Sequence, residues 1–189
     1  MISRKATIPD IPGILNLQSQ NLISELTEEQ KDTNGFVTTP FTPELLEEII
    51  NLGWAFVTEI DGQIVAYLFG GSWSYYEQWP IFPYMTARFP QWNLAGPQIT
   101  TENSFQYGPV CIDANHRGKK IINALFEAMR LDFKKTYPLA GTFINQANQI
   151  STKAHLKIGW TIVDEFDYDD NLYYGLAYDM RVSVVNPSD

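Results

Sequence analysis

The chain has 189 residues, 44% of them hydrophobic and 19% charged, which suits one folded α/β domain and argues against disorder. A net charge of -9 and a pI of about 4.6 disfavour a nucleic-acid binder, which would carry a basic excess, and fit a solubilising acidic surface or a cationic small substrate. One cysteine, Cys111, excludes an internal disulfide framework and a cysteine-based zinc cluster; the two histidines, His116 and His155, exclude a histidine-rich site, so no metal is expected. Met1-Ile2-Ser3-Arg4-Lys5 leads into no apolar segment, and no apolar run approaches membrane-spanning length. No secretory signal and no membrane partner are therefore expected, and the expected compartment is the cytoplasm.

In chain order, a short strand is predicted around Ile2 to Ala6. A helix follows with Asp10 as N-cap, Pro12 in its first turn and an apolar stripe of Ile11, Ile14, Leu15 and Leu22 that Gln18 breaks. A polar loop from Thr27 to Thr39 includes Asn34-Gly35. Thr42-Pro43 starts a second helix with Leu45, Leu46, Ile49 and Ile50 on its buried side and Gly53 as its stop. Trp54 to Ile60 and Gln63 to Phe69 read as a hairpin around the Asp61-Gly62 turn.

Residues 70 to 104 form an aromatic-rich insert without clear periodicity. Phe105 to Ile112 reads as a strand interrupted at Gly108-Pro109, where a bulge or a splay is expected. A long helix from about Lys119 to Lys135 places Ile122, Leu125, Phe126, Met129 and Phe133 on one face, and Pro138 closes it. Gly141 to Asn145 is a short strand. A helix from about Gln149 to Ile158 sets Ile150, Ala154 and Ile158 together and ends at Gly159. Trp160 to Phe166 and Leu172 to Val182 are the last strands, parted by Asp169-Asp170-Asn171. The order implies one domain over residues 1 to 189, a mixed sheet with helices on its faces.

The segment from Val110 to Ile122 is the most informative. A strand feeds a short polar loop that opens a long helix, and the free N–H groups at such a start, helped by the helix dipole, form an anion site. His116, Arg117, Lys119 and Lys120 add the densest positive charge in an otherwise acidic chain, so a polyphosphate is the natural ligand. A solvated basic helix start reads the same residues equally well.

Over nearly its whole length the chain resembles the GNAT superfamily of acetyltransferases. The likeness rests on the opening Ile2 to Thr7 with Asp10-Ile11-Pro12, the hairpin from Trp54 to Phe69, the segment Val110 to Ile122, and Asn148, His155, Lys157, Gly159 and Trp160. The resemblance implies a mostly antiparallel, mixed central sheet with a splayed middle, flanked by helices. It implies an N-acetyltransferase that moves acetyl from acetyl-CoA directly to an amine or peptide acceptor. Cofactor contacts would come from Val110, Cys111, Ile112, Arg117, Gly118, Lys119, Lys120, Ile121, Ile122 and Asn148. Among these the backbone of Val110, Cys111 and Ile112 would lie along the acyl and pantetheine arm. Asn148 serves equally well as an N-cap. His155 stands where many members carry a tyrosine that protonates the leaving thiolate, and imidazole is chemically able to do the same.

One departure is specific. The family's loop runs Arg or Gln, two variable residues, Gly, one variable residue, then Gly or Ala; here Arg117 fills the first place, but Lys120 and Ile122 replace the small residues. Either their side chains point away, with the Lys120 ammonium near a phosphate, or binding weakens. The departure keeps a second reading in view: a non-catalytic acyl-CoA sensor or an interaction module on the same fold. Asp113, Glu59 and Glu77 are the carboxylates from which a general base would come. The insert, with Trp73, Tyr75, Tyr76, Trp79, Phe82, Tyr84, Phe89 and Trp92, is either an acceptor pocket or a loop that packs as a satellite core or dimer contact. A homodimer is compatible with the resemblance.

Overall fold

The structure is a computed structural model and describes residues 1–27, 36–38, 40–92 and 96–185. The Asn34-Gly35 portion of the expected polar loop lies outside the described residues. Seven strands form one mixed, mostly antiparallel sheet, flanked by helices, in the spatial order β1 (Ile2–Lys5), β2 (Ala55–Ile60), β3 (Gln63–Gly71), β4 (Ser104–Ile112), β5 (Leu139–Asn145), β7 (Asn171–Asp179), β6 (Thr161–Tyr168). By contact the chain divides into two compact units, and it passes from one to the other within β4 (Ser104–Ile112).

The first unit comprises Met1–Gly70, Gly108–Asp132 and the segment from Ser183. In it β1 (Ile2–Lys5) pairs antiparallel with β2 (Ala55–Ile60), and β2 with β3 (Gln63–Gly71), whose last residue lies in the other unit. The hairpin turn is built as its residues require, with Asp61 at φ 51 and Gly62 at φ 79. Helix α1 (Ile11–Ser19) buries Ile14, Leu17 and Gln18, so the expected break in its stripe is an interior residue. The Gln18 amide is satisfied at both ends: Nε2 donates to the Phe41 carbonyl at 3.0 Å and Oε1 accepts from the Phe41 N–H at 2.9 Å. Asp10 stands at the start of α1 but makes no side-chain cap there. Its carboxylate instead accepts from the Thr7 N–H at 2.7 Å and from both arms of the Arg4 guanidinium, which holds it down to about 2. Helix α2 (Pro43–Asn51) is capped by Thr42, whose Oγ1 accepts from the Leu45 N–H at 3.3 Å, and ends at Gly53 with φ 74.

The second unit comprises Gly71–Tyr107 and Phe133–Val182. The first residues of β4 pair in parallel with β5 (Leu139–Asn145) over Ser104↔Leu139, Phe105↔Ala140 and Gln106↔Gly141. On its other side β5 pairs antiparallel with β7 (Asn171–Asp179), which pairs with β6 (Thr161–Tyr168). Asp169 and Asp170 both adopt positive φ, 49 and 58, so the β6–β7 connection is a two-residue turn and β7 begins at Asn171. The insert folds into short helices α3 (Trp73–Tyr76) and α4 (Ile81–Thr86). Trp73, Tyr76, Phe82, Phe89 and Trp92 are buried, the arrangement of a satellite core, while Tyr84 is exposed.

Helix α5 (Ile121–Phe133) begins in the first unit. There Ile121, Leu125, Phe126 and Met129 are buried, each contributing about 1.5–3 kcal/mol by leaving water. Ile122, expected in this stripe, is only half-buried. The helix therefore starts one residue earlier on its apolar face than the periodicity places it, at Ile121. Gly108-Pro109 does not interrupt β4. The strand runs on through a cis peptide there, with Gly108 at φ 108, a conformation that glycine adopts without a Cβ penalty.

Candidate active site

In the first unit β4 delivers Val110, Cys111 and Ile112 directly into the turn that opens α5. The strand end is pinned by the Asp113 N–H donating to the Val65 carbonyl at 2.9 Å. The Asp113 carboxylate then turns the chain: it accepts from the Asn115 N–H and from His116 Nδ1, both at 2.9 Å. His116 beside it holds the Asp113 carboxyl below the usual carboxylate range.

Arg117 follows, half-buried. Its Nε donates to the Ile112 carbonyl at 3.1 Å and its Nη2 to Asn21 Oδ1 at 3.0 Å. The guanidinium thus ties the strand end to the end of α1, and part of its hydrogen-bonding capacity is spent inside the fold. The next residues carry the unusual backbone. Gly118 has φ 76 and Lys120 has φ 57, so Lys120 takes the left-handed conformation that glycine supplies elsewhere. Its side chain is exposed, and that of Ile122 is half-buried.

The first N–H groups of a helix have no intrahelical acceptor. Among the described residues no protein acceptor is found for the backbone N–H of Gly118, Lys119, Lys120, Ile121, Ile122 or Asn123, whereas the Ala124 N–H reaches the Lys120 carbonyl at 3.3 Å. The turn can therefore hold an anion through main-chain donors, with the Lys119 and Lys120 ammonium groups on the exposed side. A diphosphate fits these donors, since replacing glycine at position 120 leaves the backbone in the glycine conformation.

Cys111 is buried, and that burial pushes its thiol up to about 12, so it is no thiolate at neutral pH. Of the three carboxylates weighed as a base, Asp113 is engaged as above. Glu59 accepts from Arg4 Nη2 at 2.8 Å between β1 and β2, and Glu77 is exposed on the insert.

Asn148 and His155 belong to the second unit. Asn148 caps helix α6 (Gln149–Lys157), its Oδ1 accepting from the Ser151 N–H at 3.2 Å. His155 is 2% exposed, and burial pushes its imidazole down to about 4. With Nδ1 against the Ser151 carbonyl at 2.7 Å, the neutral ring carries its proton on Nδ1, and Nε2 presents a lone pair. The proton that a general acid would donate from Nε2 is not there at neutral pH. Rings of Tyr107 and Trp160 pack edge-on at 5.5 and 5.8 Å from the imidazole and account for its dry setting. The structure thus joins Val110 through Ile122 in one strand, turn and helix, and places Asn148 at the N-cap of α6 and His155 within it. The left-handed backbone at Lys120 is what sequence reasoning misses, since nothing about a lysine signals it.

No family model matches the chain, and no curated protein matches it in sequence. Solved structures do. A ribosomal-protein-alanine N-acetyltransferase from Brucella melitensis superposes with a TM-score of 0.62 at 17% identity, covering 95% of this chain and 99% of that one. The yncA protein of Salmonella typhimurium, solved with its cofactor acetyl-CoA, gives 0.62 at 13% identity over 95% and 94% of the two chains. PaiA N-acetyltransferase from Thermoplasma acidophilum, in complex with coenzyme A, gives 0.59 at 12% identity over 94% and 98%. The chain has the GNAT acetyltransferase fold.

Proposed function

We propose that the chain is an N-acetyltransferase that uses acetyl-CoA as its acetyl donor and transfers the group directly to an amine acceptor. The observation that carries this reading is the turn from Gly118 to Ile122, where main-chain N–H groups stand without protein acceptors among the described residues and Lys120 holds a glycine-like backbone. In this reading the N–H groups of Gly118, Lys119, Lys120, Ile121 and Ile122 bind the diphosphate. Arg117 keeps the turn in place against Ile112 and Asn21. Val110, Cys111 and Ile112 line the path of the acyl arm. Acetyl-CoA, when bound, supplies an acetyl group activated as a thioester.

Direct transfer is supported by Cys111, whose buried, protonated thiol is a poor nucleophile. His155 enters this reading as a neutral, buried side chain, and the leaving thiolate takes its proton from elsewhere. That same feature favours a second reading, a non-catalytic acyl-CoA sensor. Free-thiol release from acetyl-CoA, followed over a panel of primary amines, separates the two. Turnover with at least one amine supports the transferase; saturable coenzyme A binding with no turnover on any amine supports the sensor.

A further inference from the structure

The turn that opens α5 is held from two sides within the first unit, and both sides lead back to β3. On one side the Asp113 N–H donates to the Val65 carbonyl at 2.9 Å. On the other, Arg117 Nη2 donates at 3.0 Å to Oδ1 of Asn21, just past the end of α1. Helix α1 is itself seated on β3, where a Cβ on Gly13 would meet Ile64 Cγ1 at 2.8 Å. Asn21 is buried and held on every side. Its N–H donates to the Gln18 carbonyl at 2.9 Å, its carbonyl accepts from the Val37 N–H at 2.8 Å, and Nδ2 donates to the Leu17 carbonyl at 2.9 Å. Only with the amide turned this way are both Leu17 and Arg117 served. The Leu17 bond closes the end of α1, whose last carbonyls have no intrahelical donor. The Arg117 bond has no such local task. An amide here also differs from a carboxylate, which would accept from Arg117 but cancel its charge beside the turn. Among the described residues no carboxylate forms an ion pair with Arg117. Asn21 thus fixes the guanidinium and leaves its charge to act on an anion.

We propose that Asn21 is a positioning residue for the coenzyme A turn: its side-chain carbonyl sets Arg117, and through it the backbone from Gly118 to Ile122, without neutralising the guanidinium. This rests on the proposed function for the identity of the anion. Asn21→Leu, Asn21→Asp, Arg117→Lys and the double variant Asn21→Leu/Arg117→Lys test it in the full chain. Arg117→Lys keeps the charge and every bond of Asn21 to Leu17, Gln18 and Val37, and loses only the fork that reaches both Ile112 and Asn21. Three quantities are measured: coenzyme A affinity by calorimetry, backbone amide positions of Gly118 to Ile122 in the unliganded proteins, and thermal midpoint. The expected result is that Asn21→Leu and Arg117→Lys each weaken coenzyme A binding about tenfold and displace those amides, and that the double variant binds within about twofold of the weaker single one. Asn21→Asp, which keeps an acceptor for Arg117, leaves the unliganded amides where the parent has them. Its affinity deficit, which comes from charge, shrinks as salt rises from about 0.05 to 0.5 M.

Parent-like affinity and amides in Asn21→Leu overturn the proposal, whatever its midpoint, and leave Asn21 as the end of α1 alone. Losses that multiply in the double variant, to about a hundredfold, overturn it too, because the two side chains then act separately. A deficit in Asn21→Asp that does not respond to salt, or amides displaced as in Asn21→Leu, also contradicts it. Should Asn21→Leu not fold, Arg117→Lys decides: parent-like affinity there overturns the tie. If the parent protein binds coenzyme A and these variants do as well, the positioning role fails while the cofactor reading stands. If the parent protein binds no coenzyme A, both fail.

Discussion

Lys120 shows how a side chain can stand where a tight turn usually has none. The left-handed region costs a non-glycine residue roughly 1–2 kcal/mol, and the cost is greater for a β-branched one. Lys120 bears it with an exposed side chain and φ 57. If the backbone conformation is what the diphosphate needs, Lys120→Gly keeps coenzyme A affinity within about threefold of the parent. Lys120→Val, which resists positive φ, lowers affinity by about tenfold, equivalent to about 1.4 kcal/mol. Calorimetric titration of both variants checks this; a large loss in Lys120→Gly would shift the weight to the ammonium.

His155 makes a different prediction. Its folded-state value of about 4 lies below the ordinary 6.5, so between those two pH values the unfolded chain binds more protons at this site. Its contribution to stability is therefore whole above pH 6.5 and is lost as pH falls toward 4, on the order of 3 kcal/mol in all. His155→Leu should flatten that limb of a urea-denaturation series against pH. Parallel curves for the two proteins would place the ring in a wetter setting than the structure gives it.

Among the elements, the insert makes the sharpest case. Trp73 and Trp92 lie against glycines in neighbouring strands. A Cβ on Gly141 would meet Trp73 at 3.0 Å, and one on Gly175 would meet Trp92 at 2.9 Å. Asp164 completes the anchor, accepting from Arg88 at 2.6 and 2.9 Å and from Trp92 Nε1 at 3.1 Å. Gly175→Ala should cost about 1–3 kcal/mol by overpacking, and Trp92→Phe in the same chain should recover part of it. Thermal melts of the single and double variants decide it; an Ala variant as stable as the parent would mean that Trp92 is not seated on Gly175.

Most elements were legible from sequence because their signals are local. Thr42-Pro43 and Asp61-Gly62 dictate a cap and a turn without help from distant residues. Gln18 was misread because its partner, the Phe41 backbone, lies far along the chain, and a polar residue on an apolar face reads as a break until that partner is known. The insert had no period to read, since its order comes from tryptophans meeting strand glycines distant in sequence. In the candidate site, the strand, loop and helix order was legible, while the backbone at Lys120 and the protonation of His155 depend on three-dimensional surroundings.

For the molecule as a whole, the fold is shared with solved acetyltransferases at 9–18% identity. Cores tolerate such divergence so long as volume and patterning persist. A main-chain anion site tolerates it further, because its donors belong to the backbone and only the conformation has to survive. That is how Lys120 and Ile122 can replace small residues without removing the donors. The most direct measurement is a titration of the full chain with coenzyme A followed by backbone amide shifts in ¹H–¹⁵N spectra. The account predicts saturable binding with the largest shifts at Gly118, Lys119, Lys120, Ile121, Ile122 and Asn123. Binding that leaves those amides unmoved, or no binding at all, would contradict it.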